Sequence, residues 1–270
     1  MSEPVSFPQG AWDTHFHAWG EEGDAEAALA EARELHRGLG IDRAVLVQAG
    51  HPPADQGPLL RLLARHPDLR AVAKIDDAQD DAVLDALAAA GVRGVRFQFV
   101  SFLPKPATPE TLRRGVERAA QRGWHVLLHV ELTDLPPLAD AIARMTVPVI
   151  VDHCAHSRPS ALHDRAFDLL LQLHRLPHCW VKLSSMDRWS KVGAPTYEDM
   201  VPLGRAVLAN APERVLWATD WPHVMYRDPR APGDPPPDPR HLARLLHRMV
   251  DGDEALLRQV LVDNPSRLYA

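Results

Sequence analysis

A repeating alternation constrains this chain more than any other feature: apolar runs of strand length recur, each followed by a stretch rich in helix formers. The runs are residues 12–18, 44–48, 71–75, 92–100, 125–130, 147–153, 180–185 and 215–220. Most are dense in Val, Leu and Ile, as strands buried on both faces are. Between them, 24–37 ends at Gly38 and Gly40 and 81–90 closes at Gly91. Thr108 before Pro109 pairs an N-cap residue with a proline at the first helical position. Further helical stretches follow at 137–145, 160–175 and 197–210. Eight such units imply parallel strands joined by right-handed crossovers. The 270 residues suit the roughly 250 of a closed barrel. No glycine-rich phosphate loop follows any strand, so the usual nucleotide-binding reason for an open sheet is missing. The expected fold is α/β, a (β/α)8 TIM barrel forming one domain over 1–270.

The strand ends then become informative, because in a parallel barrel they ring a single pocket. The first run, WDTHFHA, places His15 and His17 two apart and so on one face of a strand. The fourth run ends in Arg96 and Gln98, the fifth in His129, the sixth in His153, the seventh in Ser184 and Ser185, and the eighth in Asp220. Imidazoles and a carboxylate converging in one place are costly to bury unless they meet a ligand, a metal or each other. Cys154 follows His153, so strand alternation turns it toward the helices and away from the pocket. Asp13 and Asp152 are expected to orient neighbouring imidazoles. A segment with six prolines, 227–239, follows the eighth strand and is expected to be a stiff loop on the pocket side.

Composition narrows the partners. The formal net charge is −6 and no basic block interleaves with aromatics, which speaks against nucleic acid. No apolar run is long enough to cross a bilayer, and the first ten residues lack the basic and apolar regions of a secretory signal, so a cytoplasmic location is expected. Two cysteines, Cys154 and Cys179, are too few for a disulfide framework. A small-molecule substrate is expected, with the oligomeric state open.

Five segments, in order along nearly the whole chain, carry a resemblance: DTHFH (13–17), VDHCA (151–155), WVKLSSMDRWS (180–190), VLWATDWPH (215–223) and DNPSRLY (263–269). Together they resemble the amidohydrolase superfamily (amidohydrolase-related family 2), and within it the lactone hydrolases of the 2-pyrone-4,6-dicarboxylate lactonase type. The resemblance implies ring-opening hydrolysis of a lactone by water. Asp220 would be the general base, and His153 a catalytic hydrogen-bond donor to the reacting oxygen. It also implies that Arg96 and Arg188 hold a substrate carboxylate, with His156, His223 and Ser185 as further substrate contacts. Members of this branch differ in whether they bind a metal. His15, His17, His129 and Asp220 offer three nitrogens and one oxygen, a set that suits one divalent metal, zinc before others. A metal-free histidine cluster is the alternative. Phe102, His129 and His156 depart from the dicarboxylate lactonase pattern, which points to a monoanionic or sugar-derived lactone. Two other readings share the scaffold: a metal-dependent, non-oxidative decarboxylase of an aromatic or unsaturated acid, and a non-catalytic binding barrel.

Overall fold

The structure, a computed structural model, describes residues 6–18, 22–50, 55–76, 79–101, 103, 106–223 and 238–270. The expected proline-rich loop lies mostly outside the described residues, as does Phe102. Eight strands form one parallel sheet in sequential order. They are β1 (Ala11–Phe16), β2 (Ile41–Val47), β3 (Arg70–Ala73), β4 (Val92–Gln98), β5 (His125–His129), β6 (Val149–Val151), β7 (Cys179–Leu183) and β8 (Val215–Trp217). Between and after them run α1 (Glu22–Leu39), α2 (Gly57–Arg65), α3 (Asp81–Ala90), α4 (Pro109–Ala120), α5 (Leu135–Ala143), α6 (Arg165–His174), α7 (Val201–Asn210) and α8 (Pro239–Val250). The sheet comes round on itself through a parallel bridge between Phe16 and Trp221. Asp220 N donates to His15 O at 2.9 Å and His17 N to Trp221 O at 2.8 Å across the same seam. The fold is therefore the expected (β/α)8 barrel.

Strand alternation divides the core into two shells. Val45, Val72, Leu127, Ile150, Trp180 and Leu216 pack inside the barrel with Trp12 and Tyr269. Their chain neighbours Leu46, Ala71, Val126, Val149, Val181 and Val215 face the surrounding helices. Burying each such Val, Leu or Ile contributes roughly 1.5–3 kcal/mol. Gly94 of β4 has no side chain because one would not fit: a Cβ there would lie 2.4 Å from the His125 ring of β5.

Several boundaries depart from the sequence reading. The 160–175 helix is two pieces, a 3₁₀ turn at Pro159–His163 and then α6, because Asp164 caps the second by accepting from Ala166 N at 2.9 Å. Likewise 197–210 resolves into a short turn, Glu198–Met200, followed by α7. Strands β6 and β8 stop before His153 and Asp220, whose backbones leave the extended region at φ 51° and 57°.

Register matters most in β1. Between Asp13 and Phe16 the chain advances three residues while β2 advances two, from Ala44 to Leu46. This bulge changes the phase of alternation. Trp12 lies inside the barrel and Phe16 in the outer shell, yet His15 and His17 both turn inward. Asp13 pins the bulge. Its carboxylate accepts from His15 N at 3.0 Å and from Thr219 N at 3.1 Å, takes the Thr219 hydroxyl, and lies 3.0 Å from His36 Nε2 of α1.

Candidate active site

At the end of β1, His17 Nδ1 donates to the carbonyl of Val47 at 2.7 Å, and His15 Nδ1 donates to Asp152 Oδ1 at 3.1 Å. With both Nδ1 atoms acting as donors, both Nε2 atoms keep their lone pairs. Those two Nε2 atoms lie 3.3 Å apart, and each faces Asp220 Oδ1, at 3.6 Å from His15 and 3.5 Å from His17. Two lone pairs and a carboxylate oxygen pointing at one place repel unless a cation or a proton lies between them. Tetrahedral zinc with bonds near 2.05 Å sets its ligand atoms about 3.3 Å apart, so the three donors fit one divalent metal with a position left open. The other carboxylate oxygen, Asp220 Oδ2, is held by the Ser185 hydroxyl and by Arg188 at 3.3 Å.

A second layer orients the first. Asp152 is fully buried, and its carboxylate meets His15 Nδ1, Lys182 Nζ at 3.6 Å and Arg96 at 3.1 Å. Lys182 donates onward to the carbonyl of Thr14 at 3.1 Å. His153 Nδ1 lies 2.8 Å from the Ser184 hydroxyl and its Nε2 3.5 Å from Arg96, with its ring centroid 4.8 Å from that of His15. His15, Asp152 and His153 also form a cluster of metal-ligand spacing. The oxygens of Asp152 are already balanced by Arg96 and Lys182, so the trio with Asp220 is the better seat for a cation.

A family model for amidohydrolases matches residues 12–270. The chain belongs to the amidohydrolase family. It is 34% identical to a 4-sulfomuconolactone hydrolase of Hydrogenophaga intermedia, over 98% of this chain and 91% of that protein. It is also 34% identical to a 2-pyrone-4,6-dicarboxylate hydrolase of Comamonas testosteroni, over 97% and 90%. Among solved structures, an apo protein of Agrobacterium tumefaciens superposes with a TM-score of 0.81 at 26% identity, covering 98% of this chain and 95% of that one.

In this amidohydrolase, burial and charge set the protonation of the site. Burial lowers the His15 pKa to about 4 against the opposing pull of Asp152, so its imidazole is neutral at neutral pH. Burial by itself would raise the Asp220 carboxyl. His153, His17, His15 and Arg188 outweigh it and hold the group well below the usual carboxylate range. The backbone here is strained: His153, Cys154, Ala155 and His156 run consecutively at φ 50–51°, and Ser185 (φ 52°), Asp220 (φ 57°) and His223 (φ 59°) share that left-handed region. Non-glycine residues pay roughly 1–2 kcal/mol each for this conformation, and such strain concentrates where a site needs unusual aim.

The structure gathers most of the residues singled out from the sequence, with three differences. His129, expected as the third nitrogen ligand, is not brought to the trio: its Nε2 shares a hydrogen with His156 Nε2 at 2.8 Å. His156 in turn accepts from the Trp189 indole at 3.2 Å. Ser185, expected to touch substrate, directs its hydroxyl to Asp220. Cys154 does face the helical shell, but through the left-handed turn and not through strand alternation; buried, its thiol is pushed up to about 12 and supplies no thiolate. His223 is buried beside Asp220, its N–H donating to the Asp220 carbonyl at 2.8 Å. Sequence reading missed two partners, Lys182 and Lys74, and gave Ser184 a place at a strand end without its partner, His153. Lys182 and Lys74 sit at inward positions of β7 and beyond β3, and inward phase was the signal that could have found them.

Proposed function

We propose that this amidohydrolase opens a small lactone by hydrolysis of its ester bond, with Asp220 as general base. The observation that carries the reading is the convergence of His15 Nε2, His17 Nε2 and Asp220 Oδ1 within 3.3–3.6 Å of one another. The names of the two 34% identical relatives, both lactone hydrolases, support the class of substrate. Bound to that trio, a divalent metal, for which zinc is our choice, would polarise the ester carbonyl and make a water more acidic.

The chain's own groups do the rest. Ionised at neutral pH, Asp220 can take the proton of the attacking water. Ser185 and Arg188 fix Oδ2, which leaves Oδ1 turned toward the two imidazoles. Once protonated, the same carboxyl can return the proton to the departing ring oxygen. His153, held by Ser184, stands beside His15 as the donor to the carbonyl oxygen, where charge develops in the transition state. Arg96 and Arg188 frame this edge as cations for an acidic substituent of the substrate.

The test is a pH-indicator assay against a lactone panel with wild type and Asp220→Asn, alongside metal analysis of the purified protein. Turnover should fall by about 10²–10⁴-fold in the variant with its melting temperature preserved, and about one metal per chain should be lost in His15→Ala. Turnover that survives Asp220→Asn would overturn the assignment of the base.

A further inference from the structure

Lys74 follows β3 by one residue and shares the inward phase of Val72, which puts it at the barrel mouth, 2% exposed. It is firmly built in. Its backbone N–H donates to Gln48 Oε1 at 2.8 Å and its carbonyl accepts from Gln56 Nε2 at 2.8 Å, while Gln48 Nε2 donates to Gln56 Oε1 at 3.1 Å. The ammonium donates to the carbonyl of Gly50 and, at 2.5 Å, to Gln98 Oε1. Both acceptors are neutral. Among the described residues no carboxylate pairs with it, and the charge that acts on it is that of the Arg96 guanidinium. Arg96 itself has a buried Nε without a partner among the described residues.

A buried cation with only neutral acceptors and a second cation nearby is unfavourable on its own. Burial and then Arg96 hold the Lys74 pKa down to about 7. Lys182 shows the contrast: equally buried, it has Asp152 3.6 Å away. A supporting polar frame of two glutamines around an uncompensated cation is what an anion-binding position needs before its ligand arrives.

We propose that Lys74, with Gln98 and the unpaired edge of Arg96, binds an acidic group of the substrate remote from the ester being cleaved, so that the preferred lactone carries a carboxylate or sulfonate on the β3–β4 side of the mouth. This deepens the lactone-hydrolase reading and rests on it for the identity of the substrate.

The experiment compares wild type, Lys74→Met, Lys74→Gln and Lys74→Arg on two γ-lactones that differ only in a carboxymethyl group or its methyl ester. Binding of adipate and of hexanoate is measured by calorimetry in parallel. In Lys74→Met and Lys74→Gln, KM for the acid lactone should rise at least tenfold more than KM for the ester, with kcat within about threefold, and Lys74→Arg should recover most of the loss. Adipate should bind wild type at least tenfold more tightly than hexanoate, and that preference should vanish in Lys74→Met. Equal KM changes on both lactones, or an adipate preference that survives in Lys74→Met, would overturn the subsite. If wild type cleaves no lactone yet its adipate preference depends on Lys74, the subsite stands and the reaction assignment fails.

Discussion

Two buried lysines on opposite sides of the barrel mouth differ in one respect. Lys182 on β7 lies against Asp152 and belongs to a chain of paired charges and hydrogen bonds that runs through His15 to the Asp220 trio. Lys74 beyond β3 has, among the described residues, amide and carbonyl oxygens as its acceptors. The β6–β1 side is thus internally balanced before any ligand binds, whereas the β3–β4 side, among the described residues, carries surplus positive charge. Balanced burial holds a catalytic layer in place; unbalanced burial asks for a ligand.

The comparison is most exposed to failure on the balanced side. Lys182→Met removes one partner from a fully buried ion cluster, and breaking such a cluster typically costs about 3–5 kcal/mol. Urea unfolding should show a loss near the lower end of that range, because Arg96 still faces Asp152 at 3.1 Å. A loss below about 1 kcal/mol, the scale of an exposed ion pair, would mean that the two lysines are energetically alike.

A next, smaller effect comes from the floor beneath Lys182. His125 of β5 is 2% exposed, and the backbone of Arg93 only partly offsets its burial. Burial and then the charge of Lys182 lower its pKa to about 3. The unfolded chain takes up this proton below about pH 6.5, and the folded protein refuses it until about 3. Stability is therefore full above pH 6.5 and falls as the pH drops toward 3. At pH 5 the share of His125 is about 2 kcal/mol. Replacing it in His125→Phe should flatten the stability profile between pH 6.5 and 5 by about that amount, read from urea midpoints at each pH. An unchanged slope would place the acid sensitivity elsewhere.

How much of this was readable in advance follows from where the signals lie. Apolar runs buried on both faces carry the β/α period whatever the loops do, so the barrel and the inward-facing His15, His17, His153 and Asp220 could be placed from their positions alone. The bulge between Asp13 and Phe16 left no mark, because it preserves the spacing of the two histidines while changing the phase behind them. The turn at His153–His156 contains no glycine to announce a left-handed backbone; surrounding structure imposes it. Hence β6 ends sooner than the sequence implies, and His129 lies against His156 instead of beside the trio. Lys74 and Lys182 were passed over because each sits in an apolar run, AVAKI or WVKLSS, where a lysine resembles a strand-edge residue that reaches for water.

A smaller effect probes the hydrogen bonds of the balanced side. Ser184→Ala removes the partner 2.8 Å from His153 Nδ1. A single hydrogen bond contributes about 0.5–1.5 kcal/mol, so kcat on the preferred lactone should fall by about tenfold at most, with KM little changed. A larger rise in KM than fall in kcat would assign His153 to substrate binding instead of the transition state.

The smallest effect is decisive in its sign. Lys74→Met should leave stability unchanged or raise it by about 1 kcal/mol, since it deletes an unpaired buried charge at the cost of leaving Gly50 O and Gln98 Oε1 without that donor. The pH dependence follows from the lowered pKa of about 7 against about 10.4 in the unfolded chain. Between these values the unfolded state holds the extra proton, so wild-type stability rises with pH, and the advantage of Lys74→Met is greatest at pH 7 and shrinks toward pH 10. Saturating adipate should reverse the order at pH 7, because a ligand that binds the folded wild type more tightly stabilises it more. A destabilisation by Lys74→Met as large as that of Lys182→Met, with no response to adipate, would make Lys74 a scaffold residue and remove the asymmetry between the two sides of the mouth.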